Sequence, residues 1–316
     1  MAARVLTGTC SWADKTLVDG GLFYPPDAKS AEDRLRFYAG QFPLVEVDSS
    51  YYGLPSEKNA GLWVERTPDD FTFDVKAFRL MTQHPTPPSA LPTDLPDSLP
   101  AELASKRNLY PRDLSPEVID EVWSRFESAL LPLDSAGKLG VVVLQFPPWF
   151  LPGNESREYL VEAKERLPQY TVAIEFRNGR WLSERNADRT LGFLRDHDLP
   201  FVCVDEPQGF ENSVPPVAEA TAEVALVRFH GRNTAMWDKR GVTPADRFDW
   251  RYSDAELQEW APRVEALAQS AKEVHLLMNN CREDKAVEGA RRLAQILELP
   301  ERAPSPPAPP GQLPLE

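Results

Sequence analysis

Eight short runs of apolar and β-branched residues punctuate the chain, at 5–9, 44–48, 71–76, 141–146, 171–176, 201–205, 224–229 and 274–278. Runs of this length bounded by turn residues read as buried strands, and most of the segments between them carry helical periodicity. Ser30-Ala31-Glu32-Asp33 has the form of a capping box, and Leu35, Tyr38 and Ala39 follow it on one face. Ser115-Pro116 predicts a cap and a proline at the first helical position, ahead of Ile119, Val122, Trp123, Phe126 and Leu130. Ser253-Asp254-Ala255-Glu256 is a second capping box, leading to Leu257, Trp260, Val264 and Leu267 on one helix, and 286–298 forms the last helix. Strand and helix alternating about eight times favours an α/β fold, a closed parallel (β/α)8 barrel of the TIM type, over an open sheet. Between strands six and seven, Pro207, Pro215 and Pro216 leave little room for a helix, so an irregular crossover is expected there.

Two segments break the alternation. Residues 83–115 are dense in proline and polar residues, and an insert of that length either borders the site as a lid or is inert. Residues 301–316 are proline-rich without apolar periodicity, and the expectation is an extended or disordered tail after one barrel domain spanning 1–300. With 42% hydrophobic residues in 316, the core is ample.

The formal charge of −14 opposes a general nucleic-acid binder, which carries a basic excess or stripe. No apolar run approaches the length of a membrane span, and the first residues lead directly into a strand. Cys10, Cys203 and Cys281 are odd in number and widely spread, which predicts free thiols and a reduced, cytoplasmic setting. No Walker loop, Rossmann fingerprint or Gly-x-Ser-x-Gly elbow is present, so the chain carries no nucleotide-cofactor motif and the cofactor is left open.

Four runs end by placing polar residues two apart: Glu46 and Asp48, Asp74 and Lys76, Glu175 and Arg177, Arg228 and His230. Residues i and i+2 of a strand share a side. Buried charge is too costly to keep by accident, so strand ends that gather it mark a site. In a β/α barrel that site lies at the carboxyl ends of the strands. Mapping the runs adds Cys10 and Trp12 after strand one, Gln145 on strand four, Asp205 ending strand six, and Asn279 and Asn280 after strand eight.

The candidate catalytic residues are therefore Glu175, Lys76, His230 and Glu46. The candidate substrate contacts are Arg177, Arg228, Trp12, Asp48, Gln145, Asp205 and Asn279. Glu175 is the first choice for acid/base work, against the reading that it forms a structural ion pair with Arg177 or Lys76. Lys76 would stabilise negative charge, bind an anion or, if desolvated, form a Schiff base, against a salt bridge to Glu46 or Glu175. His230, next to Gly231, is either a proton carrier or a hydrogen-bonded structural histidine. Arginine forks suit phosphate or carboxylate, and Trp12, Tyr51, Tyr52 and Trp181 are either stacking platforms or packing. Glu46, Glu175, Asp205 and His230 are residue types that a divalent metal uses, although no His-x-x-x-His or Cys-x-x-Cys spacing is present. Cys10 and Cys281 should approach one another, because strands one and eight are neighbours in a closed barrel.

Gly8-Thr9-Cys10-Ser11-Trp12, Phe23-Tyr24-Pro25 and Val45-Glu46-Val47-Asp48-Ser49-Ser50-Tyr51-Tyr52 resemble the opening of the domain-of-unknown-function 72 proteins, also called YecE-like. The resemblance continues through Phe73-Asp74-Val75-Lys76-Ala77-Phe78-Arg79, Leu144-Gln145-Phe146-Pro147-Pro148, Ile174-Glu175-Phe176-Arg177 and Arg228-Phe229-His230-Gly231-Arg232, covering most of 5–298. It implies a TIM-barrel-like fold related to sugar isomerases, without an established activity. Against the usual family pattern, Cys10 replaces a small residue, Asp48 an asparagine and Cys281 an aspartate. Met81-Thr82-Gln83-His84 displaces the Thr-His pair. Two functions remain in play. One is an enzyme acting on a small polar or anionic metabolite, sugar-like or phosphorylated. The other is a non-catalytic or nucleic-acid-linked protein that uses the same pocket to bind.

Overall fold

The computed structural model describes residues 3–92, 94–95 and 99–302. Eight strands follow in order: β1 Arg4–Thr9, β2 Leu44–Val47, β3 Thr72–Lys76, β4 Leu139–Gln145, β5 Val172–Glu175, β6 Val202–Asp205, β7 Val224–Phe229 and β8 Glu273–Met278. Each coincides with one of the eight apolar runs, because those runs are the segments buried on both faces. The helices that position the site are α1 Lys15–Gly20, α2 Ala31–Ala39, α3 Glu57–Glu65, α4 Ala101–Ala104, α5 Pro116–Ser135, α6 Asn154–Glu165, α7 Ala187–Asp196, α8 Pro244–Arg247, α9 Asp254–Gln258, α10 Ala261–Ser270 and α11 Lys285–Ile296.

All strand pairs are parallel, in the order β5-β4-β3-β2-β1-β8-β7-β6. The ring closes between β5 and β6 through one bridge, Ile174 to Phe201, with the Ile174 N–H donating to the Pro200 carbonyl at 2.8 Å. The fold is the expected TIM-type barrel, with its seam at β5/β6. The crossover after β6 has no helix, as the prolines require. Side chains stand in for it: Gln208 donates to the Glu206 and Val214 carbonyls, and the Thr221 hydroxyl donates to Leu199 and accepts from the Phe201 N–H.

A second irregularity lies between β1 and β2. Gly8 is the register partner of Leu44, and a Cβ on Gly8 would fall 2.0 Å from the Leu44 carbonyl oxygen. Tyr38 from α2 inserts its hydroxyl at this place, accepting from the Thr9 N–H at 2.8 Å and donating to the Leu44 carbonyl at 3.0 Å.

The Ser30 and Ser253 capping boxes form as expected. Ser115 departs from expectation: Pro116 starts α5, but the Ser115 side chain makes no cap bond. The pattern Leu257, Trp260, Val264, Leu267 is split over α9 and α10, since Pro262 has no N–H to continue the first helix. Of the 83–115 insert, the described part packs onto the barrel: Leu91, Leu109 and Leu114 join the core and Asp94 pairs with Arg125 of α5. Of the tail expected at 301–316, residues 303–316 lie outside the described residues. No helix among the described residues is long and apolar enough to cross a membrane.

Candidate active site at the barrel mouth

Successive inward residues of the strands stack their polar groups in three tiers inside the barrel. Lowest lies Asp74, whose carboxylate is 2.8 Å from His275 Nδ1 and accepts the Val141 N–H at 3.0 Å. Gly140 leaves the room for this pair, because a Cβ there would sit 2.3 Å from Asp74 Oδ1. Asp74 therefore belongs to a lower layer than Lys76, two residues on along the same strand.

The middle tier is an ion cluster closed to solvent. Arg228, Glu46, Glu175 and His230 are all buried to within 1% of complete. The Arg228 guanidinium donates to Glu175 Oε2 with one arm and to Glu46 Oε1 at 2.7 Å with the other. Glu175 Oε1 accepts from Gln145 Nε2 at 2.8 Å, lies 2.7 Å from Arg177 Nε and 3.1 Å from His230 Nε2. The chain of donors fixes the histidine tautomer: Asn279 Nδ2 donates to His230 Nδ1 at 2.8 Å, so Nε2 carries the proton toward Glu175. Burial pushes the Glu175 carboxyl up, but Arg228, Arg177 and His230 outweigh it and hold the group well below the usual carboxylate range. Burial, followed by Arg177, lowers His230 to about 3, so the ring is neutral. Glu46 is raised to about 7 by burial, with Arg228 opposing, and its Oε2 has no hydrogen-bond partner among the described residues.

Above this cluster opens a cavity of about 740 Å³. Its floor carries Lys76, Asp48, Gln145, Arg177, Asn279 and Cys10. Lys76 Nζ bonds Asp48 Oδ1 at 2.8 Å and sits 4.5 Å from the Tyr51 ring centre. Burial lowers Lys76, but the Asp48 and Glu46 carboxylates together outweigh it and the ammonium is held charged. Arg177 faces Trp237 and Phe248, at 5.7 and 5.9 Å from their ring centres, and donates to Glu206 Oε2 at 3.3 Å. The outer wall is the segment 237–248 after β7, including α8. Gly231 starts that wall at φ 84°, where a Cβ would meet Trp250 at 2.5 Å.

These positions sort the expected residues. Lys76, Asp48, Gln145, Arg177 and Asn279 meet at the cavity. Glu175, Glu46, His230 and Arg228 lie directly below it, and every oxygen of Glu175 is engaged by donors of this chain. Of the two readings the sequence left open for Glu175, the ion pair with Arg177 is present. Lys76 pairs with Asp48 rather than with Glu46 or Glu175, and an ammonium kept charged does not suit the Schiff-base reading. Asp205 is a correction: Val204 is the inward partner of Arg228, so Asp205 faces out. There it accepts from Arg232, the Tyr252 hydroxyl and the Trp260 indole. Trp12 is another, since it packs edge-on against Trp63 and Phe73 in the core. Trp181 likewise stacks between Phe176 and Phe150. Of the 83–115 insert, His84 alone among the described residues lines the cavity. No group of three or more His, Cys, Asp or Glu that would hold a metal ion occurs among the described residues, and the Arg228 guanidinium fills the space between the two carboxylates best placed for one.

Sequence reasoning missed Glu206, which the alternation Val202, Val204, Glu206 signals. Its Oε1 accepts the Val214 N–H at 2.7 Å, and burial raises it to about 8. It also missed Trp237 and Phe248, which lie in an unpatterned loop. Cys10 and Cys281 do approach, in a small cluster with Leu6, Leu44 and Leu277, and all three cysteines are free.

Residues 6–313 match the family described as "Protein of unknown function DUF72". The chain is 33% identical over 303 residues to the UPF0759 protein YunF of Bacillus subtilis (strain 168), covering 93% of this chain and 95% of that one. A DUF72 family protein of Enterococcus faecalis V583 superposes with a TM-score of 0.77 at 26% identity, covering 98% of this chain and 100% of the other. One from Thermotoga maritima MSB8 gives 0.73 at 28% identity, with 93% and 99% covered.

Proposed function

The chain belongs to the DUF72 family, whose name leaves its activity open, and from that footing we propose that the barrel mouth binds the anionic end of a small polar metabolite, sugar-like or phosphorylated, and acts on it by acid/base chemistry. The observation that carries this reading is the cavity floor. Two cations, Lys76 and Arg177, stand there beside the amides of Gln145 and Asn279, beneath aromatic walls. Charge-assisted hydrogen bonds in such a recess are about twice as strong as neutral ones. Arg177 and Lys76 hold the anion, and the adjacent Asp48 carboxylate and Lys76 ammonium supply the base and acid that face the ligand. Glu175, His230, Arg228 and Glu46 keep those groups in place from below. Isomerisation and carbon–oxygen bond cleavage both suit such a pair, and the free thiols accord with a cytoplasmic setting.

Calorimetric titration with inorganic phosphate tests the binding half. Lys76→Met and Arg177→Ala should each weaken it about tenfold, the scale of one charged hydrogen bond. Unchanged affinity in both variants, or no binding at millimolar phosphate, overturns it. For the chemical half, sugar phosphates are incubated in deuterium oxide. The wild type should turn over or label a bound compound and Asp48→Asn should not. If every compound that binds is returned unchanged, the pocket is a binding site without catalysis.

A further inference from the structure

Beyond the floor, the cavity has a lip that an anion alone does not use. Tyr52 and Trp149 keep 53% and 56% of their surface exposed, among the few large hydrophobic residues to do so. Tyr52 lines the cavity, Trp149 stands at its rim beside the lining residues Pro147, Pro148 and His84, and a ladder of rings joins the two. Tyr52 lies 5.1 Å from Tyr51, Tyr51 lies 5.3 Å from His84, and His84 lies 6.0 Å from Trp149, centre to centre. Tyr51, an inner rung of the ladder, is the ring that faces the Lys76 ammonium.

Single exposed aromatics need no explanation, but the exposure of Trp149 is built in. It follows Pro147-Pro148, whose φ angles are fixed. The Pro148 carbonyl accepts from Asn178 Nδ2 at 2.8 Å, and the Phe150 N–H donates to the Pro147 carbonyl at 2.9 Å. The next residue, Phe150, is buried and stacked on Phe146 at 4.1 Å. The turn therefore anchors Phe150 inward and presents Trp149 outward on a rigid segment whose two prolines line the cavity. A ring held this way loses little side-chain entropy when a ligand stacks on it.

We propose that the ligand is a ring-bearing anion: a phosphate or carboxylate that seats on Lys76 and Arg177, joined to a planar or pyranose ring that stacks on the aromatic rim whose exposed ends are Trp149 and Tyr52. This rests on the anion reading above and adds the class of the rest of the molecule. The cavity volume suits it, since pockets of roughly 300–1,000 Å³ take ligands larger than a bare anion.

Titrations of the full chain with inorganic phosphate, phenyl phosphate and glucose 6-phosphate test it. At least one ester should bind about tenfold more tightly than phosphate, the scale of one ring stacked on an aromatic side chain. Trp149→Ala should remove most of that increment and leave phosphate affinity unchanged, and Tyr52→Ala should reduce it. Both substitutions fall on exposed side chains, and an unchanged thermal midpoint verifies the fold. Preference for phenyl phosphate identifies a planar ring, and preference for glucose 6-phosphate a sugar. If phosphate binds and neither ester binds better, or if both variants keep the increment, the ring assignment is overturned while the anion site stands. If none of the three binds, the anion site itself fails and the ring assignment with it.

Discussion

Replacing Arg228 with methionine probes the charge cluster on which the whole mouth rests. The guanidinium is fully buried and donates to both Glu175 and Glu46. After the change Glu175 keeps Gln145, Arg177 and His230 around it, whereas Glu46 loses its one hydrogen-bonded partner among the described residues. Breaking one side of a buried ion pair costs roughly 3–5 kcal/mol, and the variant should lose that much at neutral pH. The pH dependence gives the sharper check. Burial already raises Glu46 to about 7. Such a raised acid contributes stability that is present below its ordinary value and is lost as pH rises through the folded one. In the wild type this loss ends near pH 7, while in Arg228→Met the Glu46 carboxyl rises further and the loss continues. The deficit should therefore grow by about 1.4 kcal/mol between pH 7 and pH 8, the value of one unit of pKa. Urea denaturation followed by circular dichroism at pH 6, 7 and 8 measures it, and adding Glu46→Gln to the variant should abolish the growth above pH 7. A deficit under about 1 kcal/mol, or one that is flat with pH, would refute the reasoning, because it would mean that water already screens these carboxylates.

Three other outcomes are expected. His275 is lowered by burial but raised further by Asp74, to about 9, so its contribution of about 3 kcal/mol is complete below pH 6.5 and fades as pH climbs through 9; His275→Gln should cost far more at pH 6 than at pH 9.5, and parallel denaturation curves across that range would contradict it. Tyr38→Phe strands the Thr9 N–H and the Leu44 carbonyl between β1 and β2, and should lower unfolding free energy by about 1–3 kcal/mol; hydrogen exchange at the Thr9 amide, unchanged, would show that another group takes over. His84 is held down to about 3 by burial and then by Lys76, Arg79 and Arg177, so an anion that offsets those cations raises it; sulfate should bind more tightly at pH 5.5 than at pH 8 with uptake of a proton, and His84→Gln should erase that difference in calorimetry.

Much of the barrel is legible in the chain because each strand is buried on both faces and must be a short unbroken apolar run. The missing helix between β6 and β7 is legible for the same local reason, through its prolines. The site is legible only in part. Lys76, Asp48 and Arg177 follow from the rule that residues two apart share a side, and Gln145 and Asn279 from their places at strand ends. That rule does not say which parity faces inward, and at the end of β6 the more conspicuous Asp205 faces the helices while the next residue, Glu206, faces Arg177. It also does not give depth along the barrel axis, so Asp74, Glu175 and Lys76 look equivalent in sequence although they occupy different tiers.

What the sequence determines by itself is local: where backbone must be strand or helix, where a helix cannot form, and which strands end in charge. Tertiary structure alone decides which charges meet. Arg228 selects Glu46 and Glu175 from β2 and β5, Asp48 takes Lys76, and the loop carrying Trp237 and Phe248 folds over the mouth. Those choices depend on distances between residues far apart in the chain, and on a closed interior where each buried charge must find a partner or be neutralised.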